Sequence, residues 1–208
     1  MAGSHPIYLF RHGETVWNAE KRAQGHLDSP LTATGREQAR VMGEGLAHEL
    51  RQAGYVPGEV IVRASPLGRV RETLAIAAEA AGLVHDDSVF DPRLREMSWG
   101  DWDGLNGQQI EAGWPGALAT RRADHWNYSP PAGENYVMAA ARARPALAHI
   151  VTLAAERPVA VFAHGAIGRV MRGLFLKAPA ADILAMDQPQ DAFFRLYGGA
   201  VARIKAEV

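Results

Sequence analysis

The feature that most restricts this chain is a set of three short runs, Ile7–Phe10, Glu59–Val62 and Val159–Ala163, each followed by polar residues and then by a helical pattern. Bounded runs with β-branched and aromatic side chains read as buried strands. Parallel strands need a long crossover, usually a helix, so strands alternating with helices predict a mostly parallel sheet. The tail differs: Ala192–Tyr197 and Ala200–Lys205 flank Gly198-Gly199, a two-residue hairpin signal that predicts antiparallel strands at one edge. The expected fold is therefore α/β, a three-layer sandwich with a mostly parallel central sheet, helices on both faces and antiparallel edge strands.

Between the strands, Glu20–Leu31 is polar, contains Gly25 and Pro30, and reads as a loop. Thr34 and Glu37 match a capping box, which predicts a helix presenting Ala39, Met42, Leu46 and Leu50 on one face and stopping near Gly54. Ser65-Pro66 predicts the N-cap and first turn of a second helix that buries Leu67, Val70, Leu74, Ala77 and Ala81 and closes at Gly82. Val84–Glu111 is irregular, and Gly113–Gly133 carries Trp114-Pro115-Gly116 and Ser129-Pro130-Pro131. The chain thus reads as one domain over 1–208 with a small, partly helical lid at about 100–133. Glu134 to about Ala155 is helical, with Pro145 expected to kink it, and a further helix runs from the third strand to about Lys177.

A formal net charge of −1 provides no global positive field to collect nucleic acid or acidic membrane, so any anion has to be held by a local cluster. The absence of cysteine excludes disulfides, thiolate metal sites and a cysteine nucleophile. No apolar stretch approaches the roughly 18 residues of a spanning helix, and the first ten residues have no basic segment followed by a long apolar one. These features predict a soluble, cytoplasmic protein with neither nucleic-acid nor membrane partners.

Chemistry gathers where the strands end. Arg11-His12 follows the first run, Ser65–Arg69 the second and His164-Gly165 the third. Ligands of open α/β sheets bind in the crevice beyond the carboxyl ends of the strands, so the three junctions meet. Helix N-termini near Pro66 and Gly165 would aim N–H groups into the same crevice, and the implied ligand is an anion, most simply a phosphate. Arginine, histidine and glycine in succession place a cation and a nitrogen nucleophile on backbone that another group can approach closely, which suits phosphoryl transfer.

Blocks over most of residues 7–175 resemble one family. They are Arg11-His12-Gly13-Glu14-Thr15 with Trp17-Asn18, Gln24-Gly25 through Asp28, Ser65-Pro66-Leu67 with Arg69, Leu94-Arg95-Glu96 with Gly100 and Trp102, Gly133-Glu134, and His164-Gly165 with Arg169. In this order they resemble the histidine phosphatase superfamily, which includes the cofactor-dependent phosphoglycerate mutases. The resemblance implies that His12 attacks phosphorus and becomes a phosphohistidine, and that Arg11, Arg69 and His164 clamp the phosphoryl oxygens. It makes Glu96 the general acid and Asn18, Gln24, Gly25 and Gly165 phosphate or substrate contacts, with no metal. Physical chemistry agrees with the division of labour. A phosphoryl transition state spreads charge over its equatorial oxygens, and two arginines can hold that charge in place of a metal. Arg11 disfavours the imidazolium of His12, and Trp99 and Trp102 are expected to desolvate Glu96.

The resemblance further implies a phosphomonoester hydrolase of a small phosphorylated metabolite, working without a cofactor. The short interval between Glu96 and His164, and the stretch from Trp126-Asn127-Tyr128 to Glu134, look like the family's broad phosphatases. The alternative is a cofactor-dependent phosphoglycerate mutase with a bisphosphoglycerate primer, suggested by Gly104-Leu105-Asn106 and Arg121-Arg122. A catalytically silent phospho-ligand binding module and a metal hydrolase are two further readings, although no ligand motif of the usual spacing occurs for the latter. Arg121-Arg122 is expected to be a solvated lid charge in preference to a contact for a second anionic group. His125 and the other histidines outside the motifs are left unassigned.

Overall fold

The computed structural model describes residues 4–205. Its centre is a five-stranded sheet in the order β2-β3-β1-β4-β5. The strands are β1 (Ile7–Arg11), β2 (Ile61–Ala64), β3 (Val159–Ala163), β4 (Ala192–Tyr197) and β5 (Ala200–Lys205). β1 and β2 both run parallel to β3, whereas β4 pairs antiparallel with β1 and with β5. Gly198 and Gly199, both at positive φ, make the turn between the last two strands. The mixed sheet is the one the sequence predicts.

Alternation along β1 divides the core. Ile7 and Leu9 pack toward α6 (Tyr136–Leu153) and α7 (Gly165–Leu176), while Tyr8 and Phe10 face α2 (Ala33–Gln52) and α3 (Gly68–Ala81). Phe10 stacks on Phe162 and Phe193, each at 4.6 Å between ring centroids, which ties β1 to both neighbouring strands. Helices on both faces bury the sheet on either side, as runs without a polar face require.

Element boundaries depart from the sequence in ways that matter to the site. The capping box is not at Thr34: Thr32 caps α2 by accepting from Gly35 N at 3.0 Å, and its hydroxyl donates to Glu14 Oε1 at 2.8 Å. Nor do Ser65 and Pro66 start α3. That helix begins at Gly68, and the carboxylate of Asp28, on the loop opposite, accepts Gly68 N at 2.7 Å and Arg69 N at 3.3 Å. Glu59 lies in a short turn ahead of β2, which instead runs on through Arg63 and Ala64 by pairing with Val161 and Phe162. Asn135 caps α6, one helix that runs through Pro145. The remaining helices are short: α1 (Val16–Ala19), α4 (Gly107–Gly113), α5 (Ala117–Ala123) and α8 (Ala180–Ala185), of which α4 and α5 fall within the segment 100–133. No helix among the described residues is long and apolar enough to cross a membrane.

Candidate active site

Parallel pairing sets Arg11 beside Ala163 and Ala64 beside Phe162, so the three strands end at one level. His12 N donates to Ala163 O at 3.2 Å and Ser65 N to Phe162 O at 2.9 Å, which carries the register one residue into each loop. The His12 loop is then held against the start of α2. A Cβ on Gly13 would stand 2.1 Å from Gly35 O, and one on Gly35 would stand 2.0 Å from Glu14 O, so only glycine permits this approach.

His12 is 4% exposed, and its Nδ1 lies 2.8 Å from Gly13 O. A carbonyl only accepts, so Nδ1 carries the proton and the neutral ring keeps its lone pair on Nε2. Burial, with Arg69 and Arg11 adding to it, pushes the His12 pKa well below 6.5. His164 is 1% exposed, and its ring centroid is 5.3 Å from that of His12. Its Nε2 lies 2.7 Å from Ser65 Oγ, the hydroxyl that α3 leaves unused, and burial together with Arg69 lowers its pKa in the same way.

The arginines are fixed by backbone. Arg69 is buried, donating from Nη1 to Leu27 O and Asp28 Oδ1 at 3.0 and 2.8 Å and from Nη2 to Gly25 O at 2.6 Å. Arg11 donates from Nη1 to Gln188 O at 2.5 Å. Each guanidinium is thereby oriented, and the buried Nε of each has no protein acceptor among the described residues. His164 Nδ1 and Gln24 Nε2 are in the same position. Gln24 is turned that way because its Oε1 accepts from Thr15 Oγ1 at 2.8 Å and Asn18 Nδ2 at 3.3 Å. Four buried polar groups about one histidine thus lack a partner, an arrangement that folding avoids unless another molecule supplies it.

Glu96 faces the same cleft and is 7% exposed. Its Oε1 accepts from Met97 N and Ile167 N at 2.9 and 3.1 Å, and its Oε2 from Ala166 N at 3.0 Å, so the carboxylate docks on the N-terminus of α7. The backbone behind it is pinned as well: Glu96 O accepts from Arg142 Nη2 at 3.1 Å and faces His26 Nε2 at 3.0 Å. Arg142 is paired with Glu134 at 2.7 Å. Trp102 is fully buried and stacks with Trp99, which itself lines the cleft beside Glu96.

The cleft has a volume of about 270 Å³ and is lined by Arg11, His12, Asn18, Gln24 and Glu96. Arg69 and His164 are buried next to His12 and do not line the cleft. Gly165 opens α7 next to Arg11, whereas Gly25 has no backbone donor to spare: its N–H goes to Asp103 Oδ1 at 2.6 Å and its carbonyl holds Arg69. Gly25 therefore serves by aiming Arg69. Arg121 and Arg122, read together as a solvated pair, separate; Arg121 lines the cleft with its guanidinium 4.6 Å over the Trp99 ring, and Arg122 stays exposed.

Several lining residues escape sequence reasoning. Gln188 and Gln190 come from the segment before β4. The Gln188 amide oxygen, in the orientation that satisfies its neighbours, accepts from Arg169 Nη2 and Nε at 2.9 and 3.1 Å, and Gln190 Nε2 donates to Asn18 Oδ1 at 3.0 Å. Arg169 also donates to Tyr136 Oη at 3.2 Å, and His125 completes that wall. The polar cluster Asp187-Gln188-Pro189-Gln190 ahead of a strand was the only available signal.

The sequence model of the histidine phosphatase superfamily (branch 1) matches residues 7–197. The chain belongs to this superfamily. Glucosyl-3-phosphoglycerate phosphatase of Mycobacterium tuberculosis is 36% identical over 184 residues, 85% of this chain and 77% of that protein. A probable phosphoglycerate mutase, GpmB of an Enterobacter species, is 36% identical over 202 residues, 95% of this chain and 83% of its own length. Among solved structures of the superfamily, a mycobacterial glucosyl-3-phosphoglycerate phosphatase in complex with VO3 superposes with a TM-score of 0.78 at 35% identity, covering 96% of each chain.

Proposed function

We propose that the chain hydrolyses phosphate monoesters of small metabolites through a phosphohistidine on His12. The observation that carries this reading is a buried histidine with a free Nε2, surrounded by the partnerless donors Arg11 Nε, Arg69 Nε and Gln24 Nε2. A phosphoryl group offers the acceptors those donors lack. In the first step Nε2 forms a bond to phosphorus while the bond from phosphorus to the ester oxygen breaks. The leaving oxygen takes a proton from Glu96, for which Oε2 is suited because only one N–H occupies it. In the second step Glu96 takes a proton from water as the water oxygen bonds to phosphorus, and the N–P bond breaks to release phosphate. Arg11 and Arg69, held in place beforehand, stabilise the equatorial charge at little reorganisation cost.

No metal enters this scheme, and among the described residues no group of three or more His, Asp or Glu stands close enough together to hold one. The phosphatase relative supports hydrolysis of a phosphoglycerate-type ester, and such a substrate goes with a cytoplasmic enzyme. A mutase has to keep its phosphoenzyme from water, whereas here a second cavity of about 460 Å³ shares Arg11, Asn18, Trp99 and Arg121 with the cleft, which favours hydrolysis. The test is phosphate release from glucosyl-3-phosphoglycerate, 3-phosphoglycerate, sugar phosphates and p-nitrophenyl phosphate, with EDTA present. Release that disappears in His12→Ala is expected; no release from any ester, or release that survives the substitution, overturns the proposal.

A further inference from the structure

Helix α7 carries a second arginine, one turn beyond Arg169, that the proposed chemistry does not use. Arg172 is buried, and its guanidinium lies 3.8 Å over the Phe194 ring. Burying a cation is costly unless it is paired and hydrogen-bonded, so its partner is informative. Both Nη atoms go to one residue: Nη1 donates to Asp187 Oδ1 at 3.1 Å and Nη2 to the Asp187 carbonyl. From the other side, Arg203 on β5 donates to Asp187 Oδ2 at 2.9 Å. Residues 186–191 belong to neither a helix nor a strand, so side chains such as these, in place of a backbone ladder, fix their path.

That path carries the cleft's own contacts. The carbonyls of Asp187 and Gln188 belong to successive peptide planes; Arg172 holds the first, and the second accepts from Arg11 Nη1 at 2.5 Å. Two residues on, Gln190 Nε2 donates to Asn18 Oδ1 at 3.0 Å. We infer that Arg172 is a positioning residue for phosphoryl transfer, which by gripping Asp187 from the core sets the carbonyl that aims Arg11 at the phosphoryl oxygens. The inference rests on the phosphatase reading for the role of Arg11. The planar fork of an arginine meets a carboxylate oxygen and a carbonyl at once, which the single ammonium of a lysine does not. Asp187 is exposed and keeps Arg203, so Arg172→Met strands no buried charge. Stability and positioning therefore come apart.

Calorimetry of orthovanadate binding in a double-variant cycle tests this without turnover, because it reads affinity and the fraction of competent molecules separately. Arg172→Met, which keeps an unbranched chain over Phe194, should weaken vanadate about tenfold at unchanged stoichiometry, the order of one displaced charge-assisted hydrogen bond. With Arg11→Met already in place, Arg172→Met should weaken it by less than about twofold more. Arg172→Lys, which keeps the charge and reaches one oxygen, should recover only part of the affinity, and it carries the same cycle should Arg172→Met not fold. Full affinity in both Arg172 variants overturns the inference. So does a drop in stoichiometry alone, or a loss that is as large in the Arg11→Met background as in the native one. Phosphate release from p-nitrophenyl phosphate, run in parallel, separates the two claims. A native protein that binds vanadate and releases nothing counts against the phosphatase reading, additive losses of affinity count against Arg172, and no vanadate binding by the native protein overturns both.

Discussion

Replacing His12 and His164 together by asparagine should flatten the dependence of stability on acidity. Both imidazoles are buried, and burial with Arg69 close by holds both pKa values well below 6.5. An unfolded histidine takes up its proton as pH falls through about 6.5, while the folded ring stays neutral, so the unfolded state binds more protons. The stability present above that pH is therefore lost as pH falls from 6.5 toward the folded pKa values. Between roughly pH 7.5 and pH 5 each ring costs about 2 kcal/mol, and the pair about 4 kcal/mol. Urea unfolding of native and double-variant protein at a series of pH values reads this directly, because the other ionisable groups act in both and cancel in the difference. Two curves that stay parallel within about 1 kcal/mol over that range would refute the claim that both rings are folded in their neutral form. The same low pKa keeps Nε2 of His12 free below pH 6.5, so loss of phosphate release at low pH should not track an ordinary histidine.

Two further substitutions probe separate parts of the site. Glu96→Gln should lower kcat on alkyl phosphates by about 10²- to 10⁴-fold and should matter much less for p-nitrophenyl phosphate, whose leaving group needs no proton. An equal loss on both esters would remove Glu96 from the acid role. Asp28→Ala takes away the cap of α3 and the carboxylate partner of Arg69, 2.8 Å away, and should cost about 2 kcal/mol of stability, less than a fully buried pair because Asp28 is exposed while Arg69 is buried. Denaturant unfolding checks that figure, and a loss below about 1 kcal/mol would show that Arg69 is held by Gly25 O and Leu27 O alone.

Much of this was legible in the residues because strands and phosphate chemistry leave local marks. The run at β3 ended where the sequence pattern put it and β1 ran one residue further, through Arg11, so that Arg11, His12 and His164 stand at the strand ends for a reason that topology supplies. What failed were assignments that depend on contacts distant in sequence. Ser65 matches an N-cap, but the carboxylate of Asp28, forty positions before Gly68, takes that duty and leaves Ser65 to His164. Thr34 yields to Thr32 for the same kind of reason, since only Thr32 can also reach Glu14. Arg121 looked solvated because nothing nearby in sequence reveals that Trp99 lies beneath it. Gln188 and Gln190 belong to no helical or strand period at all, so their approach to Arg11 and Asn18 was invisible before the chain was folded.

That last segment sets a temporal limit on the enzyme. Arg11 leaves the ribosome well before the carbonyl that orients it, which belongs to Gln188, 177 positions later, and β1 does not gain its antiparallel neighbour until β4 has been made. A nascent chain carrying nearly every motif of the site therefore holds His12 and both arginines without the strap that aims Arg11. Competence waits for this segment to be made, and a product truncated before Gln188 would still carry the phosphate-site motifs while lacking the carbonyl that aims Arg11.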